Sequence, residues 1–236
     1  MLRLAGAADR TVIIGPTGSG KTIWAAWLLS QQRFDKRPWV ALDFKGEELW
    51  DKVGDPPMRP LRLGAMPGRR GLYRMEVNPG DEDVLEEWLW KVWRKGNIGL
   101  FADEASLIPQ KRAFKAILRQ GRTKRIPVIA CTQRPVDCDR EIFSESQYRV
   151  LFGIEDMTRD YPVIRGLFGD GDVKEMLRRR DKIAAASEKN PDMRQRWTLY
   201  YDARQKSLTI LKPVPPPDSI ALGLKAVAPY SFFLGG

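Results

Sequence analysis

Thr11-Val-Ile-Ile-Gly-Pro-Thr-Gly-Ser-Gly-Lys-Thr22, followed by Ile23-Trp-Ala-Ala-Trp-Leu-Leu29, is the stretch whose reading decides the fold. A β-branched run ends in glycine, a glycine-rich segment follows, and an apolar-periodic stretch comes next, an order that predicts strand, tight loop and helix. Outward from it, Trp39-Val-Ala-Leu-Asp-Phe44 carries a carboxylate near its end and Ile98-Gly-Leu-Phe-Ala-Asp-Glu104 closes on two. Pro127-Val-Ile-Ala-Cys-Thr-Gln133 and Tyr148-Arg-Val-Leu-Phe152 add a fourth and a fifth apolar run. All read as buried parallel strands, and the segments between them have helical length and periodicity. Asp81 to Gly96 opens with acids and closes with bases and a glycine, which suits the helix dipole and the glycine preference at helix ends. Alternating strands and helices predict an α/β fold: a mostly parallel central sheet with helices on both faces and ligands at the carboxyl ends of the strands. Arg196–Asp202 and Ser207–Leu211 flank a polar turn and read as a β-hairpin. One motor-sized domain is expected over 1–212, then a proline-rich extended tail over 213–236. Residues 54–80, rich in proline, glycine and arginine, read as a long basic loop or a loosely structured insertion.

Composition removes many chemistries. The 236 residues suit one sizeable α/β domain, and 43% hydrophobic with 30% charged residues is a globular balance. Histidine is absent and cysteine occurs twice, at Cys131 and Cys138, so a disulfide framework, a His/Cys zinc site and a Ser-His-Asp or Cys-His catalytic pair are excluded. No run approaches the roughly 18 apolar residues of a membrane span, and the N-terminus lacks the pattern of a cleaved signal. A soluble, intracellular protein is expected. The net charge of +10 points to a polyanionic partner or surface. Residues 1–110 hold 16 basic and 15 acidic side chains, residues 111–236 hold 24 and 15, and Lys111–Arg125 contains seven bases and no acid. That stretch reads either as a solvated helix face or as an anion-facing one.

Gly15, Pro16, Thr17, Gly18, Ser19, Gly20, Lys21 and Thr22 satisfy G-x-x-x-x-G-K-[ST] in the strand-to-helix setting the motif requires. Glycines let successive backbone N–H groups turn inward around phosphate oxygens, and the helix that follows adds its positive end. Lys21 is expected to reach the β- and γ-phosphates of ATP, and Thr22 to ligate Mg2+. Asp103, at the end of an apolar strand, would hold the same ion, and Glu104 beside it is suited to polarising the attacking water. Gln133, at the end of the fourth strand, would contact the γ-phosphate and that water if its strand neighbours the one carrying the carboxylates. Asp43 and Lys45, at the end of the second strand, read equally well as structural or functional.

GPTGSGKT, ALDFKGE, GLFADEA, LRQGRTKRIPVIACTQRP and YRVLFGI together make residues 11–155 resemble the FtsK/HerA superfamily of DNA-pumping ATPases. The small size and the RQGR and TQRP stretches are most similar to the genome-packaging ATPases of membrane-containing icosahedral viruses. The resemblance implies a RecA-like P-loop ATPase domain, a homo-oligomeric ring, in the hexameric style of the superfamily, with ATP between subunits, and an arginine reaching the neighbour's γ-phosphate. Arg149 at the fifth strand is slightly preferred for that role, with Arg122 and then Arg119 as competitors. It further implies double-stranded DNA as the substrate moved, a preformed capsid with vertex or portal-type proteins, contact with a viral internal membrane, and a location in host cytoplasm or at a virion vertex. Arg59, Arg62, Arg69, Arg70 and Arg74, with the 111–125 helix, are candidate DNA-facing cations, because gripping a duplex through its phosphates needs bases and no sequence-reading element. The alternative is a related phage assembly, secretion or DNA-transfer ATPase acting at a membrane; a third is a nucleotide switch that leaves Glu104 idle. Trp24, Trp27, Trp88, Trp90 and Trp93 fall on predicted helices, where core packing or subunit contact outweighs base stacking.

Overall fold

A computed structural model describes residues 9–46, 50, 58–109, 112–169 and 171–214. The proline-rich tail expected from residue 213 lies, from 215 onward, outside the described residues, as does Lys111 of the basic stretch.

The chain runs β1 (Arg10–Ile14), α1 (Lys21–Ser30), β2 (Pro38–Asp43), β3 (Arg59–Pro60), β4 (Gly71–Glu76), α2 (Glu82–Lys95), β5 (Gly99–Ala102), α3 (Arg112–Gln120), β6 (Val128–Thr132), α4 (Arg140–Ser144), β7 (Tyr148–Leu151), α5 (Tyr161–Ile164), α6 (Val173–Ser187), α7 (Pro191–Arg194), β8 (Thr198–Asp202) and β9 (Ser207–Leu211), with short 3-10 turns at Ala105–Leu107 and Pro135–Asp137. The strands form a single nine-stranded sheet in the order β3-β4-β2-β5-β6-β1-β7-β8-β9. From β3 to β7 every neighbouring pair is parallel, and the hairpin β8–β9 adds two antiparallel strands at one edge. The five apolar runs are the central strands, each buried on both faces as the near-continuous Val/Ile/Leu/Ala pattern requires.

Two cores form, one on each face. Trp24, Trp27 and Leu28 of α1 pack with Trp39 and Phe101 on one side. Leu85, Trp88 and Val92 of α2 pack with Phe114 and Ile117 of α3 and with Leu42 and Leu100 on the other. Trp24, Trp27 and Trp88 are thus core residues, and Trp90 and Trp93 lie against the second core.

The 54–80 segment is the main departure from the sequence reading. Instead of a loose basic loop over its whole length, it contributes β4, which pairs with β2 over six residues, and the short edge strand β3. Leu72, Tyr73 and Met75 are buried there, and Arg74 is drawn into the sheet by an acid on β2.

Candidate active site

Register brings the functional residues to one edge. Ile14 pairs with Thr132, Ala130 with Ala102, and Ala102 with Leu42, so the parallel strands β1, β6, β5 and β2 end together. The residues that step off them, Gly15, Gln133, Asp103 with Glu104, and Asp43 with Lys45, therefore share one rim. β6 lies between β1 and β5, so Gln133 stands between the glycine loop and the two carboxylates, meeting the condition set by the sequence reading.

The loop leaves β1 at Gly15, where a side chain has no room: a Cβ would come within 2.6 Å of the Phe152 Cβ and 2.9 Å of Ser19 Oγ. Ser19 Oγ donates to the Pro16 carbonyl at 2.8 Å, and Lys21 Nζ donates to that same carbonyl at 2.7 Å. Burial lowers the Lys21 pKa, a cost that an anion in the loop would offset. Thr17 Oγ1 donates to Gln133 Oε1 at 2.8 Å, joining the loop to β6. Thr22 Oγ1 donates to Asp103 Oδ1 at 3.2 Å, joining the first turn of α1 to β5.

The acids are buried: Asp103 is 2% and Glu104 6% exposed. Glu104 accepts from Lys45 Nζ at 3.1 Å and from Ser106 Oγ at 2.8 Å. Asp43 takes Arg74 through both Nε, at 2.9 Å, and Nη2, at 2.7 Å. A cavity of about 500 Å3 opens on the β7 flank of the loop, lined by Pro16, Thr17, Phe152, Ile154, Leu177 and Arg180 among others. Thr22 and Asp103 fit Mg2+: a hydroxyl and a carboxylate, both hard oxygen donors, meet beside the phosphate loop and would leave its remaining positions to water and phosphate.

No family model matches the chain. Over 221 residues it is 33% identical to the DNA packaging ATPase P9 of Enterobacteria phage PRD1, covering 93% of each protein. The chain belongs to the phage DNA packaging ATPases. The genome packaging NTPase B204 of Sulfolobus turreted icosahedral virus 2, solved with sulfate and with AMPPCP, superposes with a TM-score of 0.60 at 16% identity over 89% of this chain and at least 98% of B204, which places the family on the same P-loop fold. Type IV secretion protein virB4 of Bartonella quintana is 31% identical over 88 residues, 37% of this chain and 11% of virB4.

For a packaging ATPase, the structure gathers Gly15–Thr22, Asp103, Glu104 and Gln133 as the sequence predicts and sets other candidates apart. Arg149 is partly buried: its guanidinium donates to the carbonyls of Phe143, at 3.3 Å, and Leu167, and lies 5.7 Å over the Tyr201 ring. These contacts engage the Arg149 guanidinium within its own chain through two of its five N–H groups. Arg122 is exposed in the turn after α3, while Arg119 pairs with Glu141. Arg59, Arg62, Arg69 and Arg70 are exposed, but Arg74 is not a free cation, because it closes on the fully buried Asp43 side chain. On the basic helix α3, Lys115 pairs with Asp139 at 2.6 Å. Lys45 is drawn into the site, and its only trace in the sequence is the Asp-x-Lys spacing at the end of β2.

Proposed function

We infer that this chain is an ATP-hydrolysing motor that moves double-stranded DNA into a preformed capsid. The observation that carries the reading is the joining of the glycine loop to the β5 acids through Thr22–Asp103 in a chain one third identical to a packaging ATPase along nearly its whole length. Phosphates would sit on the loop amides, with Lys21 exchanging the Pro16 carbonyl for a phosphate oxygen. The base and ribose would take the neighbouring 500 Å3 cavity against Phe152 and Ile154. Mg2+ held by Thr22 and Asp103 would neutralise charge on the β- and γ-phosphates. Glu104 would accept a proton from water as the water oxygen bonds to the γ-phosphorus and the bond to the bridging oxygen breaks, ADP leaving with the electron pair. Gln133 would hold the γ-phosphate and the water.

The remaining parts of the proposal are a homo-oligomeric ring, hexameric by analogy with the superfamily, with Arg122 supplied in trans, and exposed arginines such as Arg59, Arg62, Arg69 and Arg70 on duplex phosphates. Contacts with capsid vertex or portal-type proteins and with the viral internal membrane would place it in host cytoplasm or at a virion vertex. Among the described residues no helix is long and apolar enough to cross a membrane. The test is turnover of Mg2+-ATP with and without duplex DNA across a salt series. Stimulation by duplex that fades as salt rises is expected; no hydrolysis under any of these conditions overturns the reading.

A further inference from the structure

The carboxylate assigned to water activation is itself held by a lysine from the adjoining strand end. Lys45 Nζ donates to Glu104 Oε2 at 3.1 Å while Ser106 Oγ donates to Oε1 at 2.8 Å. The Glu104 side chain is 8% exposed and that of Lys45 32%. Asp103 and Glu104 are successive, buried carboxylates, and an ionised acid removed from water is costly unless it is paired. The two acids are served from opposite sides. Asp103 meets Thr22 from the phosphate loop, and Glu104 meets Lys45 from β2, the strand on the other flank of β5.

Lys45 is presented by a built turn. Asp43 Oδ1 accepts from the backbone N–H groups of Lys45, at 3.1 Å, and Gly46, at 2.9 Å, and Gly46 takes the left-handed φ of 66° that closes the turn. The other oxygen of Asp43 is bound by Arg74 of β4, and the Asp43 side chain is fully buried. The sequence of contacts runs from β4 to the reacting centre: Arg74 fixes Asp43, Asp43 fixes the turn, the turn presents Lys45, and Lys45 holds Glu104. Each oxygen of Glu104 has one bond from these donors, and a carboxylate offers about four acceptor positions, so capacity for the water remains.

We propose that Lys45 is a positioning residue for hydrolysis, holding the Glu104 carboxylate oriented for the attacking water without itself binding nucleotide. This rests on Glu104 being the group that activates water. The test compares wild type with Lys45→Ala, Lys45→Gln and Lys45→Arg, measuring kcat and KM for Mg2+-ATP and the affinity for a non-hydrolysable ATP analogue. Lys45→Gln keeps most of the side chain's stem and a polar end without the charge, so that packing and charge are separated. Both neutral variants are expected to lose about ten- to a hundredfold in kcat, part of the roughly 10²–10⁴ that a general base contributes. KM and analogue affinity should stay within about twofold, Lys45→Arg should recover much of the rate, and Lys45→Ala should cost little more in a Glu104→Gln background. Unchanged or raised kcat in the neutral variants overturns the proposal, as does a loss of analogue affinity as large as the loss of kcat, which would make Lys45 a phosphate ligand. A wild type without turnover overturns the whole reading of the site; a turning-over wild type with indifferent Lys45 variants overturns this proposal alone.

Discussion

Thr22 and Asp103 are 81 residues apart and in contact, Thr22 Oγ1 donating to Asp103 Oδ1 at 3.2 Å, although β6 lies between β1, which leads to the helix of Thr22, and β5, which leads to Asp103. The contact sets a hydroxyl and a carboxylate where a triphosphate would need a divalent ion. Asp103→Asn keeps the shape and removes the charge, so turnover is expected to fall on the order of a hundredfold, in keeping with the several kcal/mol that a metal contributes to charge stabilisation. Thr22→Ser should be tolerated and Thr22→Val should not. An Mg2+ titration of ATPase activity checks this, with the half-saturating Mg2+ concentration rising in Asp103→Asn; unaltered Mg2+ dependence removes Asp103 from the metal site.

Thr17 is expected to set which end of the Gln133 amide would face a nucleotide's phosphates. Its hydroxyl donates to Gln133 Oε1 at 2.8 Å, an arrangement that would leave the amide nitrogen as the donor toward a γ-phosphate. Thr17→Val removes one hydrogen bond worth about 1 kcal/mol, which predicts roughly a fivefold loss of kcat, whereas Thr17→Ser should keep the rate. Single-turnover hydrolysis at saturating ATP measures the step directly. Equal rates in all three proteins would separate Thr17 from Gln133.

The residues that sequence disclosed most fully are those whose meaning is local. Gly15–Thr22 carries its own strand, loop and helix signals, and Asp103–Glu104 closes an apolar run, so neither needed a partner to be named. Strand β4 escaped because, although Tyr73 and Met75 fill one core, Leu72 shares the opposite face with Arg74 and Glu76, and Arg74 is drawn in only through Asp43, 31 residues earlier in the chain. Arg149 was legible as a strand residue but not as one engaged within its own chain, since Leu167 and Tyr201, which it contacts, arrive with later elements. Lys45 belongs to the same class: Asp-x-Lys at a strand end says nothing of Glu104 until β2 and β5 are neighbours.

The arginines of 59–74 should divide by assay. Arg74→Ala leaves the buried Asp43 carboxylate without its bidentate partner, and breaking a buried pair costs about 3–5 kcal/mol, so a marked drop in Tm is expected. Arg59→Ala, Arg69→Ala and Arg70→Ala, all exposed, should leave Tm near wild type. If these three touch duplex phosphates, each lost contact should lower the slope of log affinity against log salt by about 0.9. Thermal unfolding and DNA-binding titrations at several salt concentrations separate the two groups; an Arg74→Ala protein of unchanged Tm would contradict the structural assignment.

Cys131 and Cys138 should be silent toward thiol reagents in the folded protein. Both are buried; burial pushes the Cys131 thiol well up and that of Cys138 up to about 12, the latter donating to Thr132 Oγ1. A raised thiol pKa keeps the protonated, unreactive form populated as pH climbs toward it, so labelling should stay slow through pH 9 and become rapid for both residues on denaturation. Fast native labelling at pH 8 would show that the β6 end opens.

Arg122 and Arg149 are separated by a complementation experiment. A trans-acting arginine must leave its own subunit, and Arg149 is spent internally on two carbonyls and an aromatic face, with burial lowering its pKa. Arg122 is exposed where α3 turns toward β6. In a ring with shared sites, Arg122→Ala subunits retain an intact phosphate loop, and Lys21→Ala subunits retain an intact Arg122. Each homogeneous protein should be nearly inactive, the former by the roughly 10³–10⁵ that an arginine finger contributes. Mixing them should create sites with Lys21 from one subunit and Arg122 from the next, giving ATPase activity well above either parent. Arg149→Ala should instead lower Tm, since hydrogen bonds to a charged group contribute about 1.5–3 kcal/mol each, and its mixtures with Lys21→Ala should gain nothing. Activity restored by Arg149→Ala mixtures at unchanged Tm, with none from Arg122→Ala mixtures, would reverse the assignment and require that Arg149 leave its pocket in the assembled ring.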